Sequence, residues 1–256
     1  MHPTPYPRVN LVLTDLFLRI RKVLGDKLVG LYLGGSLVLG DFDERISDID
    51  LVAALSSDSA DTEFDQLQQM HADFIGDHKE WYDRIEVCYI STDALKTVKS
   101  RTSPIVNISP GEPMHRMESS KAWMMNWYLT REKSIILFGP SPKTIIEPIS
   151  KEEYIQSVKD HMKLWDTWVK NMRDRYAQAA YVILTMCRAL YAYKNGDQVS
   201  KIQAARWAQR ELSEWSDLIG HALVWRETMN EESVDDATYL TMVQFVNYVR
   251  DQMFSK

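Results

Sequence analysis

Cysteine is nearly missing from this chain: 256 residues contain two, Cys88 and Cys187. Each lies inside an apolar run (IEVCYI and ILTMCRALY), which reads as a buried thiol. The pair lacks metal-ligand spacing, which speaks against a structural zinc site. Ten glycines and nine prolines are too few for a fibrous or disordered chain. No run of about 18 apolar residues occurs, so no membrane partner or span is expected. The opening MHPTPYPRVN has three prolines and no apolar core, unlike a signal peptide. A cytoplasmic, reducing location is therefore expected. Positive charge is in deficit, with 30 Lys and Arg against 36 Asp and Glu and a net charge of −6. Nucleic-acid binding normally needs a basic face, so no nucleic-acid partner is expected, and the negative field suits a small cationic one. A monomer or weak oligomer is the expectation for assembly.

What is present divides the chain in two. Residues 8 to 24 carry Val9, Val12, Leu13, Leu16, Phe17, Ile20 and Val23 at helical spacing, with Gly25 placed to end the helix. Short apolar strands follow at 27–33, 50–55 and 84–90, and a last one at 134–138. Asp61 is placed to cap a helix running to about Ile75, and Ser91 or Thr92 to cap a short one. Pro104, Pro110, Gly111 and Pro113 make 100–116 read as a long loop. Pro148 is the last proline. Beyond it the pattern predicts helices over 151–171, 174–195, 200–212, 214–229 and 235–254. Ser150 with Glu153 has capping-box spacing, and Gly196 and Ser200 punctuate the bundle. The expected fold class is α+β: a mixed-sheet domain over 1–150, then an α-helical bundle over 151–256.

The stretch that carries chemistry is Leu33-Gly-Gly-Ser36 followed by Ser47-Asp48-Ile49-Asp50. Asp48 and Asp50 are two apart, which on a strand puts both carboxylates on one face. Two carboxylates side by side repel unless a cation lies between them, and oxygen-only ligands favour Mg²⁺ or Mn²⁺. Gly35 lets backbone N–H groups approach an anion, and the Ser36 hydroxyl adds a donor. A third carboxylate would complete such a site. Glu86, a charge inside the apolar run Ile85 to Ile90, is the best candidate; Asp93 competes but reads better as a helix-start residue. Gly-Gly-Ser is a common turn and Asp-x-Asp a common surface pair, but the two at this spacing with Glu86 are far more specific.

The Gly-Ser…Ser-Asp-Ile-Asp arrangement resembles the DNA polymerase β-like nucleotidyltransferases. Tyr181 to Arg188 and Ser200 to Ala208 resemble the helical domain of the aminoglycoside (3″)(9) and (9) adenylyltransferases, which confer streptomycin and spectinomycin resistance. Phe138-Gly139-Pro140 resembles their domain junction. The resemblance covers nearly the whole chain. It implies a polymerase β-like nucleotidyltransferase domain followed by a helical domain for substrate and nucleotide, and transfer of AMP from ATP with release of pyrophosphate. It further implies that Asp48, Asp50 and Glu86 hold Mg²⁺, two ions in all, and that Glu86 is also the general base. Gly35, Ser36 and Ser47 would contact nucleotide phosphates, as would Arg188 and Lys201 from the helical domain, and Trp225 would pack on the nucleotide. Without the resemblance, Arg188 reads as a helix-end or ion-pair residue and Lys201 as a solvated lysine.

The departures fall on the acceptor side. Asp174 matches one acidic drug contact, but Gln178 stands where those enzymes carry a second acid. Their streptomycin-holding tryptophan is displaced to Trp168, with Val169 in its place. A cationic small-molecule acceptor is expected, spectinomycin at least as readily as streptomycin. A lincosamide, another metabolite or a protein hydroxyl stays open as acceptor, as does a non-catalytic nucleotide-binding regulator, against which the intact Asp48, Asp50 and Glu86 speak. Among other residues, His71 and His78 read as surface positions and His115 as a loop residue near the cleft. Trp165, Trp207 and Trp215 read as core or interface residues, and Met124, Met125 and Met186 as core filler.

Overall fold

The computed structural model describes residues 1–254 and divides into two compact units, Met1–Ile149 and Ser150–Lys256. In the first, helix α1 (Pro7–Leu24) buries Val9, Leu13, Leu16 and Ile20 completely, as their spacing dictates. It ends at Gly25, whose φ of 52° few other residues adopt. Strand β1 (Leu28–Leu33) leads through a short helix, α2 (Gly35–Leu39), to β2 (Ile49–Leu55). Strands β1 and β2 pair antiparallel. Helix α3 (Asp61–Asp77) then crosses back, so that β3 (Ile85–Ser91) pairs parallel to β2. A parallel neighbour demands such a crossover. Ser91 caps α4 (Thr92–Leu95) by accepting from the Ala94 N–H at 3.3 Å.

Residues 100–116 are not a loop. From Ser103 on they lie in a hairpin, β4 (Ser103–Ser109) and β5 (Glu112–Ser119), turned at Pro110-Gly111 with Gly111 at φ 78°. Pro104 sits beyond the stretch of β4 that pairs with β3, and Pro113 lies on the edge strand, so neither interrupts an inner ladder. The buried Ile105 and Val106 outweigh the turn formers. After α5 (Met124–Lys133), β6 (Ile135–Phe138) closes the sheet in the order β5-β4-β3-β2-β1-β6. Gly139-Pro140 lies inside this unit, where a Cβ on Gly139 would meet the Val29 carbonyl at 2.2 Å.

Two histidine readings are corrected. His71 is 3% exposed, on the face of α3 that meets the sheet, and its Nε2 lies 2.7 Å from the Tyr89 hydroxyl. His78 is partly buried against Asp15 at 2.8 Å. Asp61 opens α3 rather than capping it; the cap is Ala60, whose N–H donates to Glu63 at 2.7 Å.

The second unit is helical throughout. The expected helix over 151–171 is broken into α6 (Lys151–Met162), α7 (Trp165–Trp168) and a 3₁₀ turn. The N–H groups of Lys163 and Leu164 reach back three residues, to Asp160 and His161, a tightening that apolar spacing does not reveal. Ser150 and Glu153 form the capping box of α6. Helix α8 (Tyr176–Asn195) buries residues on nearly every side, including Cys187, and packs against α6, α9 (Lys201–Glu211), α10 (Ser216–Glu227) and α11 (Asp236–Phe254). Gly196 ends α8 in the left-handed region, and Ser200 caps α9. Met124 and Met186 are buried, whereas Met125, Trp207 and Trp215 are only partly so. Among the described residues, no helix is long and apolar enough to cross a membrane.

His71 makes the first unit sensitive to acid. Burial pushes its pKa from 6.5 to about 4. The unfolded chain therefore takes up this proton near pH 6.5 while the fold refuses it. Stability is full above that pH and falls as pH drops toward 4, by up to about 3 kcal/mol. Urea midpoints measured from pH 7 to 4 are expected to decline less steeply in His71→Gln than in wild type; equal slopes would contradict this.

Candidate functional site

At the end of β1 the Gly34 N–H donates to the Asp50 carbonyl at 2.9 Å, and the chain turns at Gly35 with φ 62°. A Cβ on Gly35 would lie 1.6 Å from Asp50 Oδ2, so only glycine lets the turn press against that carboxylate. The Ser36 hydroxyl oxygen is buried with no hydrogen-bond partner, an arrangement that costs stability unless a ligand supplies one. Ser47 is buried just before Asp48. Its hydroxyl accepts from the Asp43 N–H at 3.0 Å, leaving the hydroxyl proton to donate elsewhere.

Asp48 stands one residue before β2, Asp50 lies within it, and Glu86 lies on β3 directly beside Asp50 in the parallel register. The three half-buried carboxylates each offer an oxygen within 4.8 Å of the others. The β-strand period and the ladder thus bring together the three acids singled out in the sequence. An all-oxygen set of this kind fits a hard divalent cation. Asp93, the competitor, is an exposed first-turn residue of α4.

Neighbouring residues fill out the same face. Cys88 follows Glu86 by two and pairs with Asn107 on β4, which pairs in turn with His115 on β5. Burial, with the Glu86 charge adding, pushes the Cys88 thiol up, so it stays protonated and is no nucleophile. The Asn107 side-chain oxygen is buried without a partner. His115 belongs to a strand, with Nδ1 2.9 Å from the Pro113 carbonyl. Sequence reading passed over Asn107, because its strand was read as loop. It also passed over Arg84, whose side chain binds the backbone before Asp48.

In the second unit, Trp168, Arg188 and Lys201 share one neighbourhood. His161 packs edge-on against Trp165 and Trp168, Trp165 against Tyr181, and the Lys201 ammonium lies 4.4 Å from the Tyr181 ring centre. Burial depresses the pKa of His161, with the Arg188 charge contributing. Lys201 is therefore held on an aromatic face, not freely solvated. Trp168 keeps 39% of its surface exposed, whereas Trp165 is buried. Asp174 is exposed at the start of α8, and its N–H donates to the Gln178 side-chain oxygen at 3.1 Å. Trp225 packs elsewhere in the unit, against Tyr176 and His221.

The sequence model described as "Aminoglycoside adenylyltransferase, C-terminal domain" matches residues 144–252. Aminoglycoside (3″)(9) adenylyltransferases from Rhizobium radiobacter and Klebsiella pneumoniae are 28% and 27% identical over 85 residues. That stretch makes up 32% of this chain, and 29% and 30% of those enzymes, so the match spans about a third of either length. In three dimensions the chain is similar to the crystal structure of spectinomycin adenyltransferase AAD(9) from Enterococcus faecialis, solved with ATP and spectinomycin. The TM-score is 0.73 at 17% identity, over 95% of this chain and 98% of that one. At that identity the likeness speaks for the fold alone: a six-stranded mixed sheet with helices, followed in the chain by a helical unit. The C-terminal part of the chain thus matches the aminoglycoside adenylyltransferase C-terminal domain model, and the fold is like that of AAD(9).

Proposed function

We propose that the chain is an adenylyltransferase that moves AMP from ATP to a hydroxyl of an aminoglycoside-type antibiotic, with spectinomycin the foremost acceptor. The observation that carries this is the triad of Asp48, Asp50 and Glu86 converging beside the glycine turn at Gly35. The family domain match and the fold likeness support it. A cytoplasmic enzyme with no nucleic-acid or membrane partner, acting as a monomer or weak oligomer, goes with this reading.

Asp48, Asp50 and Glu86 would hold the Mg²⁺ ions, two in the full reading. A divalent cation held by these three carboxylates would supply positive charge to offset that developing on the α-phosphoryl group. The Ser36 and Ser47 hydroxyls donate to phosphate oxygens, and Gly35 keeps the backbone close enough to help. Glu86 takes the proton from the acceptor hydroxyl, which attacks the α-phosphorus in line. The bond to the β-phosphate oxygen breaks, and pyrophosphate leaves. Arg188 and Lys201 are assigned to the nucleotide phosphates, Trp225 to the nucleotide, and Asp174, Trp168 and Gln178 to the acceptor. A second reading, a different acceptor such as a lincosamide, rests on Gln178. Its oxygen is already engaged by Asp174, and it brings no negative charge to meet a second cation.

The deciding experiment is pyrophosphate release from ATP and Mg²⁺ over a panel of spectinomycin, streptomycin, lincosamides and metabolites. Release with spectinomycin or streptomycin is expected; none with any acceptor, alongside tight ATP binding, would favour a regulator. Asp48→Asn and Asp50→Asn are expected to abolish turnover with the fold intact. Glu86→Gln should still assemble ATP, Mg²⁺ and acceptor while the rate falls by about 10²–10⁴; a loss under tenfold would remove Glu86 from the chemistry. Gly35→Ala should lose cation binding as its Cβ displaces Asp50. Gly40→Ala, equally left-handed at φ 86° but in open space, is the control that keeps it. For the acceptor, Asp174→Ala should raise KM about tenfold or more and leave ATP affinity alone, since one charge-assisted hydrogen bond is worth roughly 1.5–3 kcal/mol. An unchanged KM would remove Asp174 from the site.

A further inference from the structure

Arg84, the residue before β3, is bound to the chain on both sides of Asp48. Its own carbonyl accepts from the Ile49 N–H at 2.9 Å. Its guanidinium donates to the Ser47 carbonyl through Nε at 3.0 Å and Nη2 at 2.5 Å. Nη2 also reaches the Glu44 carbonyl at 2.8 Å, and Nη1 the Glu80 carbonyl at 3.3 Å. The guanidinium plane rests over the buried Trp81 ring, 4.5 Å from its centre. Asp48 is thus bracketed: the carbonyl before it and the N–H after it both end on Arg84, while Glu86, on β3, follows Arg84 by two along the chain.

We infer that Arg84 is the positioning residue of the carboxylate triad, fixing Asp48 against Glu86 so that the two can share one cation. This rests on reading Asp48, Asp50 and Glu86 as a divalent-cation site. The fork geometry is what the role needs. One planar group satisfies carbonyls of Glu44, Ser47 and Glu80 at once, which a lysine ammonium on a flexible stem cannot reproduce. Charge alone works in the opposite sense. A fixed positive group near Asp48 repels a metal ion, so removing it without moving the turn would tighten binding.

That opposition makes the test decisive. Mn²⁺ binding is measured by the loss of the free-ion EPR signal in wild type, Arg84→Lys and Arg84→Met, without nucleotide or acceptor, and melting curves are recorded for each. Positioning predicts that both variants weaken Mn²⁺ binding by about tenfold or more, as loss of groups that orient metal ligands typically does. Arg84→Lys should fail to rescue although it keeps the charge. Unchanged binding in Arg84→Lys, or tighter binding in Arg84→Met, would overturn the inference. The lysine variant decides the matter even if the methionine variant does not fold. A lowered melting temperature with wild-type Mn²⁺ affinity would mean that Arg84 serves stability alone, and would also overturn it. Wild type that binds no Mn²⁺ would bring down the metal-site reading and this inference together.

Discussion

The arrangement on which the rest depends is the crowding of three negative charges at the start of the parallel pair β2 and β3. Carboxylate oxygens within 4.8 Å of one another repel when ionised. Side chains on a loose segment would rotate apart. Here Asp50 and Glu86 stand abreast in the ladder, and Asp50 is backed by the Gly35 turn. The backbone therefore holds a geometry that the charges alone would not choose. Such stored repulsion is relieved by a cation, and a site of this kind is preorganised before any ligand arrives.

The sheet around the triad serves that placement. A parallel neighbour for β2 requires α3 to cross over, and α3 buries Leu67, Met70, His71 and Phe74 to do so. Tyr89 meets His71 on one side of β3, while Glu86 and Cys88 face the other. The strand that carries the proposed base is thereby anchored through its opposite face. Arg84 and Trp81 brace the entry to the same strand.

Much of this was legible in the sequence. The Asp-x-Asp period and a lone glutamate in an apolar run named the triad, because strand geometry maps sequence spacing directly onto space. Gly25, Ser150, Gly196 and Ser200 marked helix ends because capping is local chemistry. Most of the misses have non-local causes. The β4–β5 hairpin was hidden by prolines that fall where no inner ladder needs their N–H. His71 was taken for a surface residue because its partner, Tyr89, lies 18 positions away. Arg84 works through backbone carbonyls, which leave no trace in residue types. The break in the first helix of the second unit came from i→i+3 tightening, to which apolar spacing is blind.

The second unit raises a question of charge at the mouth of α8. Gln178 spends its side-chain oxygen on the Asp174 N–H, an arrangement a carboxylate could make as well. The local geometry therefore does not explain an amide there; the difference is one negative charge. With an acid at 178, two carboxylates would flank this corner, and a dicationic acceptor would meet a charge for each of its own. With glutamine, Asp174 is left as the one acid of the pair, flanked by Arg173 and Arg175, which are themselves engaged by Asp236 and Glu231, and the amide adds a donor that repels a second ammonium. Under the proposed function, the substitution narrows what this corner rewards to one cationic group beside neutral hydroxyls.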